Sequence, residues 1–109
     1  MLLALAAGIL LAVACQARGG KAESVGDGKA LFQEKCAMCH GKVGMGTGLL
    51  MRRVQPAELL LREDLTSDVV FQAARAGIGN MPPIPRGEAS DTELRRIGDF
   101  LATAPGKLQ

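Results

Sequence analysis

Five consecutive residues, Cys36-Ala37-Met38-Cys39-His40, restrict what this chain can fold around more than any other feature of its sequence. Two cysteines separated by two residues and followed by histidine form the CxxCH pattern to which c-type haem is attached. On a helix, Cys36 and Cys39 share one face and can each form a thioether to a porphyrin vinyl group. His40 then projects its imidazole over the ring towards the iron. The sequence therefore predicts one covalent haem c, held by Cys36, Cys39 and His40.

Two other kinds of site use neighbouring cysteines, and the rest of the chain favours neither. A thioredoxin-like redox pair requires a βαβ unit, whereas no alternating strand pattern is present. A zinc site needs further ligands, but no Cys or His follows His40. The chain of 109 residues also has no Trp, no Tyr and only three Phe, so a small domain lacks the large rings that usually fill a core. A buried porphyrin would supply that missing bulk.

A second axial ligand to the iron decides between electron transfer and ligand binding. With no second His, the candidates are Met38, Met45, Met51 and Met81. Met38 lies between the two attachment cysteines, on the same side as His40. Met45 and Met51 follow His40 closely in a glycine-rich segment. Met81 lies 41 residues after His40 and precedes a proline that favours extended backbone, so Met81 is the predicted ligand.

The pattern of apolar residues predicts an all-α domain with three main helices. The first begins near Ser24 or Asp27 and continues through Cys39. The glycines of "GKVGMGTG", residues 41–48, then favour a loop over a long helix. A short helix from Pro56 to about Arg62 is compatible with proline at a first helical position.

The other two main helices have clear start and stop signals. One runs from a cap at Thr66 or Ser67 and ends at Gly77. The last opens on the capping box "SDTE", which begins at Ser90, and ends before Pro105.

Three segments, "GKALFQEKCAMCHG", "TSDVVFQAARAGIGNMPPI" and "DTELRRIGDFLA", resemble the bacterial class I cytochrome c family over residues 27–102. The resemblance implies three helices and short connections wrapped around one haem, with Met81 as the second axial ligand. It also implies that the first and last helices cross, through Gly28 with Phe32 and through Ile97 with Phe100.

One feature of that family is missing here. Its members commonly have a proline shortly after the haem histidine, and the carbonyl of that proline accepts a hydrogen bond from the imidazole. In this chain Leu49 and Leu50 stand where it is expected, and the first proline is Pro56. A backbone carbonyl from the loop between Gly44 and Gly48 is the expected substitute, because some acceptor usually fixes the ring.

The N-terminal segment of the chain predicts export. Residues 1–14, "MLLALAAGILLAVA", have the length of the apolar part of a secretory signal and are too short to span a bilayer. Cys15 follows directly, as in bacterial lipoproteins, and its lipid modification is the leading interpretation; ordinary signal-peptide cleavage after Ala14 is the alternative. Residues 15–26 are then a polar tether, 27–104 the haem domain and 105–109 a tail.

The predicted function is one-electron transfer by a carrier that is not an enzyme. A net charge of +2, from 13 basic and 11 acidic residues, argues against nucleic-acid binding. Basic residues expected near the haem either form an ordinary solvated surface or steer acidic redox partners. These are Lys29, Lys35, Lys42, Arg52 and Arg53.

Two alternatives to a diffusing carrier remain. The chain can be a dedicated haem subunit of a dehydrogenase or reductase complex. It can also be a gas-binding sensor or weak peroxidase in which Met81 is displaceable. We expect a monomer on the periplasmic side, anchored to the membrane through Cys15.

Overall fold

The structure is a computed structural model that describes the backbone of residues 21–103 and the side chains of residues 27–103. Five α-helices and one 3₁₀ helix follow one another: α1 (Lys21–Lys35), α2 (Ala37–His40), α3 (Met45–Leu50), the 3₁₀ helix (Leu59–Leu61), α4 (Ser67–Ala76) and α5 (Asp91–Thr103). This part of the chain contains an isolated bridge between Ile78 and Met81 but no β-strand, which confirms the all-α prediction.

The predicted signal segment, Cys15 and the predicted tail lie outside the described residues. Within residues 21–103, no helix combines the length and the apolar character needed to cross a membrane.

The first and last helices cross as expected from the resemblance. The rings of Phe32 and Phe100 lie 6.0 Å apart at a tilt of 49°. Gly28 permits this approach, because a β-carbon there would lie 2.2 Å from the carbonyl oxygen of Arg96. Ile97 and Phe100 are each 1% exposed and form the centre of the core. Helices α1 and α4 both pack against α5.

Gly28→Ala is expected to lower the free energy of unfolding by about 1–3 kcal/mol or more, because the added methyl group must push α5 away from α1. Gly48→Ala is the matched control, since a β-carbon at Gly48 meets no atom within 4 Å. In a helix this second change should stabilise the protein by about 0.5–1 kcal/mol. Chemical denaturation of the two haem-loaded variants measures both values, and equal effects would show that the helix crossing is not tight at Gly28.

The ends of α4 and α5 confirm the predicted signals. The Thr66 hydroxyl accepts a hydrogen bond from the Val69 amide at 3.2 Å, and α4 ends at Gly77, whose φ is 74°. At α5 the Ser90 hydroxyl accepts from the Glu93 amide at 3.1 Å, while the Glu93 carboxylate accepts from the Ser90 amide at 2.8 Å. This reciprocal pair is the predicted capping box.

The first helix differs from the prediction at both ends. It begins at Lys21, earlier than Ser24 or Asp27, so residues 21–26 of the predicted tether are helical. It also ends at Lys35, because Cys36 has φ −120° and ψ −30°, outside the helical range. The helix resumes as α2, and the amide of His40 donates to the carbonyl of Cys36 at 2.8 Å. The prediction of one helix through Cys39 was therefore wrong at Cys36.

The predicted loop between residues 41 and 48 and the predicted helix after it were both partly wrong. Met45–Leu50 is the six-residue helix α3, in spite of its two glycines. Thr47 stabilises its start, since the buried hydroxyl donates to the carbonyl of Gly41 at 2.7 Å. The helix expected over residues 56–62 is only the 3₁₀ turn Leu59–Leu61.

Candidate cofactor site

A cavity of 550 Å³ opens beside the CxxCH segment, and four predicted site residues line it. They are Cys36, Cys39, His40 and Met81. Cys36 lies at the junction of α1 and α2, with Cys39 and His40 on α2, whereas Met81 lies in the segment between α4 and α5. The fold thus brings residues from distant parts of the sequence to the wall of one cavity.

The rest of the wall is largely apolar and comes from almost every helix. Phe32 belongs to α1, Leu49 and Leu50 to α3, Val70 to α4, and Leu94 and Ile97 to α5. Several of these side chains also belong to the core packed between α1 and α5. The core and the cavity wall are therefore continuous, so an apolar group in the cavity would complete the core.

The two thiols differ in environment. Cys36 is half-buried, and burial raises the pKa of its thiol to about 11; the nearby charge of Lys35 offsets this in part. Cys39 is exposed. Burial disfavours a charged thiolate, so Cys36 is protonated at neutral pH. A neutral thiol is compatible with the largely apolar wall of the cavity that Cys36 lines.

His40 presents a neutral imidazole. Burial lowers the pKa of its side chain below the usual value, so the ring carries no charge at pH 7. The neutral ring is the form that binds metals. Its Nδ1 is buried and has no hydrogen-bond partner among the described residues.

The expected acceptor for His40 is therefore not observed. Helix α3 passes close to the ring, because a β-carbon at Gly46 would lie 3.3 Å from Cε1 of His40 and 2.7 Å from the carbonyl oxygen of Cys39. Nevertheless, no carbonyl between Gly44 and Gly48 accepts a hydrogen bond from Nδ1. The backbone in this segment forms its own turn instead, with the amide of Gly44 donating to the carbonyl of Gly41 at 3.0 Å.

Met81 is held by its backbone in a tight turn. The amide of Ile78 donates to the carbonyl of Met81 at 3.0 Å, and the amide of Met81 donates back to the carbonyl of Ile78 at 2.9 Å. Three residues later, the amide of Ile84 donates to the carbonyl of Ala74 on α4 at 2.8 Å. The Met81 side chain is half-buried and packs against the core. Both sides of Met81 are thus fixed relative to α4.

The other three methionines of the described residues are more exposed. Met38 is 89% exposed and does not line the cavity, and Met51 is 57% exposed and lines a separate cavity of 150 Å³. Met45 lines the main cavity but remains 74% exposed. Met81 alone among them combines burial with a position on the cavity wall.

The basic residues expected near the site divide into two groups. Arg52 and Arg53 line the cavity, whereas Lys42 lines the smaller one. Lys35 points elsewhere, since its ammonium donates to the carbonyl of Glu88 at 2.9 Å. Lys29 lines neither cavity. The prediction of five basic residues around the site therefore holds for Arg52 and Arg53 only.

Sequence reasoning missed Arg62, which also lines the cavity. Its Nε donates to Oδ1 of Asp64 at 2.8 Å, and this hydrogen bond holds the pKa of the Asp64 carboxyl below its usual range. A single arginine in a polar stretch gives no signal that it will reach a cavity, so the sequence alone could not identify it.

The residues present fit a covalently attached haem. Two thiols, a neutral imidazole with an unpartnered buried nitrogen and a thioether line a largely apolar space. The volume lies within the range of about 300–1,000 Å³ found for small-molecule and cofactor sites. Cys36, Cys39, His40 and Met81 would hold the group, and Arg52 and Arg53 would lie at its edge.

Comparison with known proteins gives one family match. The family model described as "Cytochrome C oxidase, cbb3-type, subunit III" matches residues 23–101. No curated protein and no solved structure gave a significant match. The matched residues extend from α1 into α5 and include all four candidate haem-binding residues.

Proposed function

Because the chain belongs to the family described as cytochrome c oxidase, cbb3-type, subunit III, we propose that it is a one-electron carrier whose haem c has His40 and Met81 as axial ligands. Membership in this family establishes covalent haem c and haem-based electron transfer in general terms. The haem iron supplies the electron-accepting centre by cycling between Fe(III) and Fe(II). The ligand pair and the carrier role are our proposal.

The position of Met81 is the observation that carries this proposal. Met81 lies on the wall of the cavity that contains the CxxCH residues, and its backbone is fixed by two hydrogen bonds with Ile78. With the Met81 thioether and the His40 imidazole as its ligands, the iron would have no position open for a substrate. Such a site is suited to electron transfer and not to catalysis.

The chain contributes more than ligands. Its largely apolar wall gives the site a low polarity, and a low-polarity site with a thioether ligand would disfavour the extra positive charge of the oxidised iron. Both effects raise the reduction potential within the range of about 0.8 V that axial ligands set.

The partner and location follow from weaker features. Arg52 and Arg53 at the cavity edge are suited to an acidic redox partner, because opposite charges steer encounter. Residues 1–14 and Cys15 support an exported, membrane-anchored protein on the periplasmic side. Detection of an acyl chain on the peptide that begins at Cys15 tests the anchor.

A dedicated haem subunit is the second candidate, and the family description favours it, since that description refers to a subunit of an oxidase. A subunit would remain bound to its partners during purification. A diffusing carrier would separate from them, because redox encounter interfaces are small and weak. Tagged purification from native membranes, at low and moderate salt, therefore distinguishes the two candidates.

Spectroscopy of the holoprotein tests the ligand pair. We expect the ferric protein to be low-spin and to show the weak methionine-to-iron absorption band. We expect the ferrous protein to bind carbon monoxide slowly, because Met81 must leave first. A high-spin ferric spectrum with immediate carbon monoxide binding would instead support the gas-binding alternative and contradict axial ligation by Met81.

A further inference from the structure

We propose that Arg75 is a positioning residue that fixes the segment carrying Met81 to helix α4, and that it thereby strengthens the hold of Met81 on the haem iron. This inference rests on the proposed His40 and Met81 ligand pair. Arg75 itself does not line the cavity, so its effect is exerted through the backbone that it binds.

The contacts of Arg75 join α4 to three positions further along the chain. From the last turn of α4, Nη1 donates to the carbonyl of Ile84 at 2.7 Å, and Nη2 donates to the carbonyl of Ala89 at 2.8 Å. Nε and Nη2 also donate to Oδ1 of Asp91, at 3.0 and 2.6 Å. One planar guanidinium thus binds Ile84 near the start of the segment after Met81, Ala89 near its end, and Asp91 at the start of α5.

Burial makes these contacts effective. The side chain of Arg75 is 13% exposed, so its hydrogen bonds are partly shielded from water. Hydrogen bonds from a charged donor are stronger than neutral ones. Residues 82–90 contain three prolines and no helix or strand, so few backbone amides are available to hold this segment by themselves. Arg75 satisfies the carbonyls of Ile84 and Ala89, which both lie in this irregular segment.

Ile84 is the direct link between this clamp and the ligand. Its amide donates to Ala74 of α4 and its carbonyl accepts from Arg75, so both peptide groups of Ile84 are tied to neighbouring residues of one helix. Met81 lies three residues before it and turns back to Ile78. Without Arg75, the residues after Met81 lose their charged anchor, whereas the residues before Met81 remain connected directly to α4.

The chain provides a matched control in Arg95. Its guanidinium lies 4.0 Å from the centre of the Phe71 ring, and that of Arg75 lies 5.8 Å from the same ring. Arg95 also forms an ion pair, with Asp68, and none of its hydrogen bonds or ion pairs among the described residues involves the segment between Met81 and Ala89. Replacing Arg95, whose side chain is 46% exposed, therefore removes an ion-paired arginine from the same ring without touching the proposed clamp.

The test is a titration of the ferric holoprotein with imidazole, in which loss of the methionine-to-iron band reports the displacement of Met81. For Arg75→Met we expect half-displacement at an imidazole concentration lower by about tenfold or more, the shift expected from losing one charge-assisted hydrogen bond. Arg95→Met should stay within about twofold of wild type. Asp91→Asn should also stay near wild type, because both bonds from Arg75 to carbonyls remain.

Hydrogen exchange gives a second readout that does not depend on ligand displacement. The amides of Ile78, Met81 and Ile84 should exchange faster in Arg75→Met, whereas the amides of α1 should not change. If Arg75→Met does not accumulate with haem, Arg75→Lys is tested in its place. One ammonium cannot reach all three acceptors, so this variant should give an intermediate shift in the imidazole concentration.

The outcomes separate this inference from the proposed function. A wild-type protein without the methionine band overturns both. A wild-type protein with the band, together with wild-type titration and exchange in Arg75→Met or in Arg75→Lys, overturns the role of Arg75 alone. If Asp91→Asn lowered the half-displacement concentration as much as Arg75→Met, the ion pairs of Asp91 with Arg75 and Arg86 would hold the segment, and not the bonds to the carbonyls. That result would also overturn the clamp.

Discussion

Replacing both Cys36 and Cys39 by serine is expected to abolish covalent haem attachment and, with it, the stable fold. The cavity that these residues line measures 550 Å³. Without haem, the largely apolar wall of this open space would be exposed to water, and the core that is continuous with it would lose part of its packing. A domain of this size has a net stability of only about 5–15 kcal/mol. The chain without haem should therefore lose most of its helix content, as measured by far-ultraviolet circular dichroism.

The third cysteine is the matched control for this prediction. Cys15→Ser should keep the haem on the polypeptide in a denaturing gel, and it should release the protein from the membrane if Cys15 carries a lipid. Full helix content in Cys36→Ser/Cys39→Ser without haem would contradict the prediction. It would mean that α1, α4 and α5 form a sufficient core by themselves.

The candidate site could be proposed from sequence because its chemistry restricts residue types. Thioether attachment requires cysteines at a fixed spacing, and a histidine must follow them to reach the iron. Met81 was predictable by elimination, because the other methionines are too close to the CxxCH segment. The structure brings Met81 to the same cavity as His40, in agreement with that reasoning, while ligation itself stays a prediction.

The helices with end signals were also predictable, and the segments without them were not. Thr66 and Ser90 satisfy backbone amides with their own side chains, which is a local effect that sequence reveals. Helix α3 instead depends on contacts beyond its own residues. Its glycines lower helix propensity, but the buried Thr47 hydroxyl binds the carbonyl of Gly41, and Leu49 and Leu50 face the cavity. Such tertiary contacts override propensity.

Arg75 is a further residue whose contacts could not be predicted from the sequence. In the sequence it is an ordinary basic residue in the last turn of a helix, where a favourable interaction with the helix dipole explains it. Its acceptors lie 9, 14 and 16 residues further along the chain. Only the folded path of the proline-rich segment brings these groups to one guanidinium, so no pattern in the sequence could indicate the contact.

Met81→Leu is expected to remove the methionine-to-iron band completely, to lower the reduction potential and to make carbon monoxide binding to the ferrous protein fast. Leucine has nearly the volume of methionine but no sulfur, so packing against the core should cost less than about 1.5 kcal/mol. Met81→Ala should give the same spectrum with a larger loss of stability, because it also leaves a space in the wall. The pair of variants thus separates ligation from packing.

Met45→Leu and Met51→Leu are the controls, since both side chains are largely exposed and should leave spectrum and potential unchanged. If Met45→Leu removed the band and Met81→Leu kept it, the ligand would come from α3 and not from the segment after α4. If the wild-type protein already bound carbon monoxide rapidly and neither substitution changed that rate, the iron would have an open axial position in the native protein. The sensor or peroxidase interpretation would then replace electron transfer, because a protein with an open position can bind small molecules at its iron.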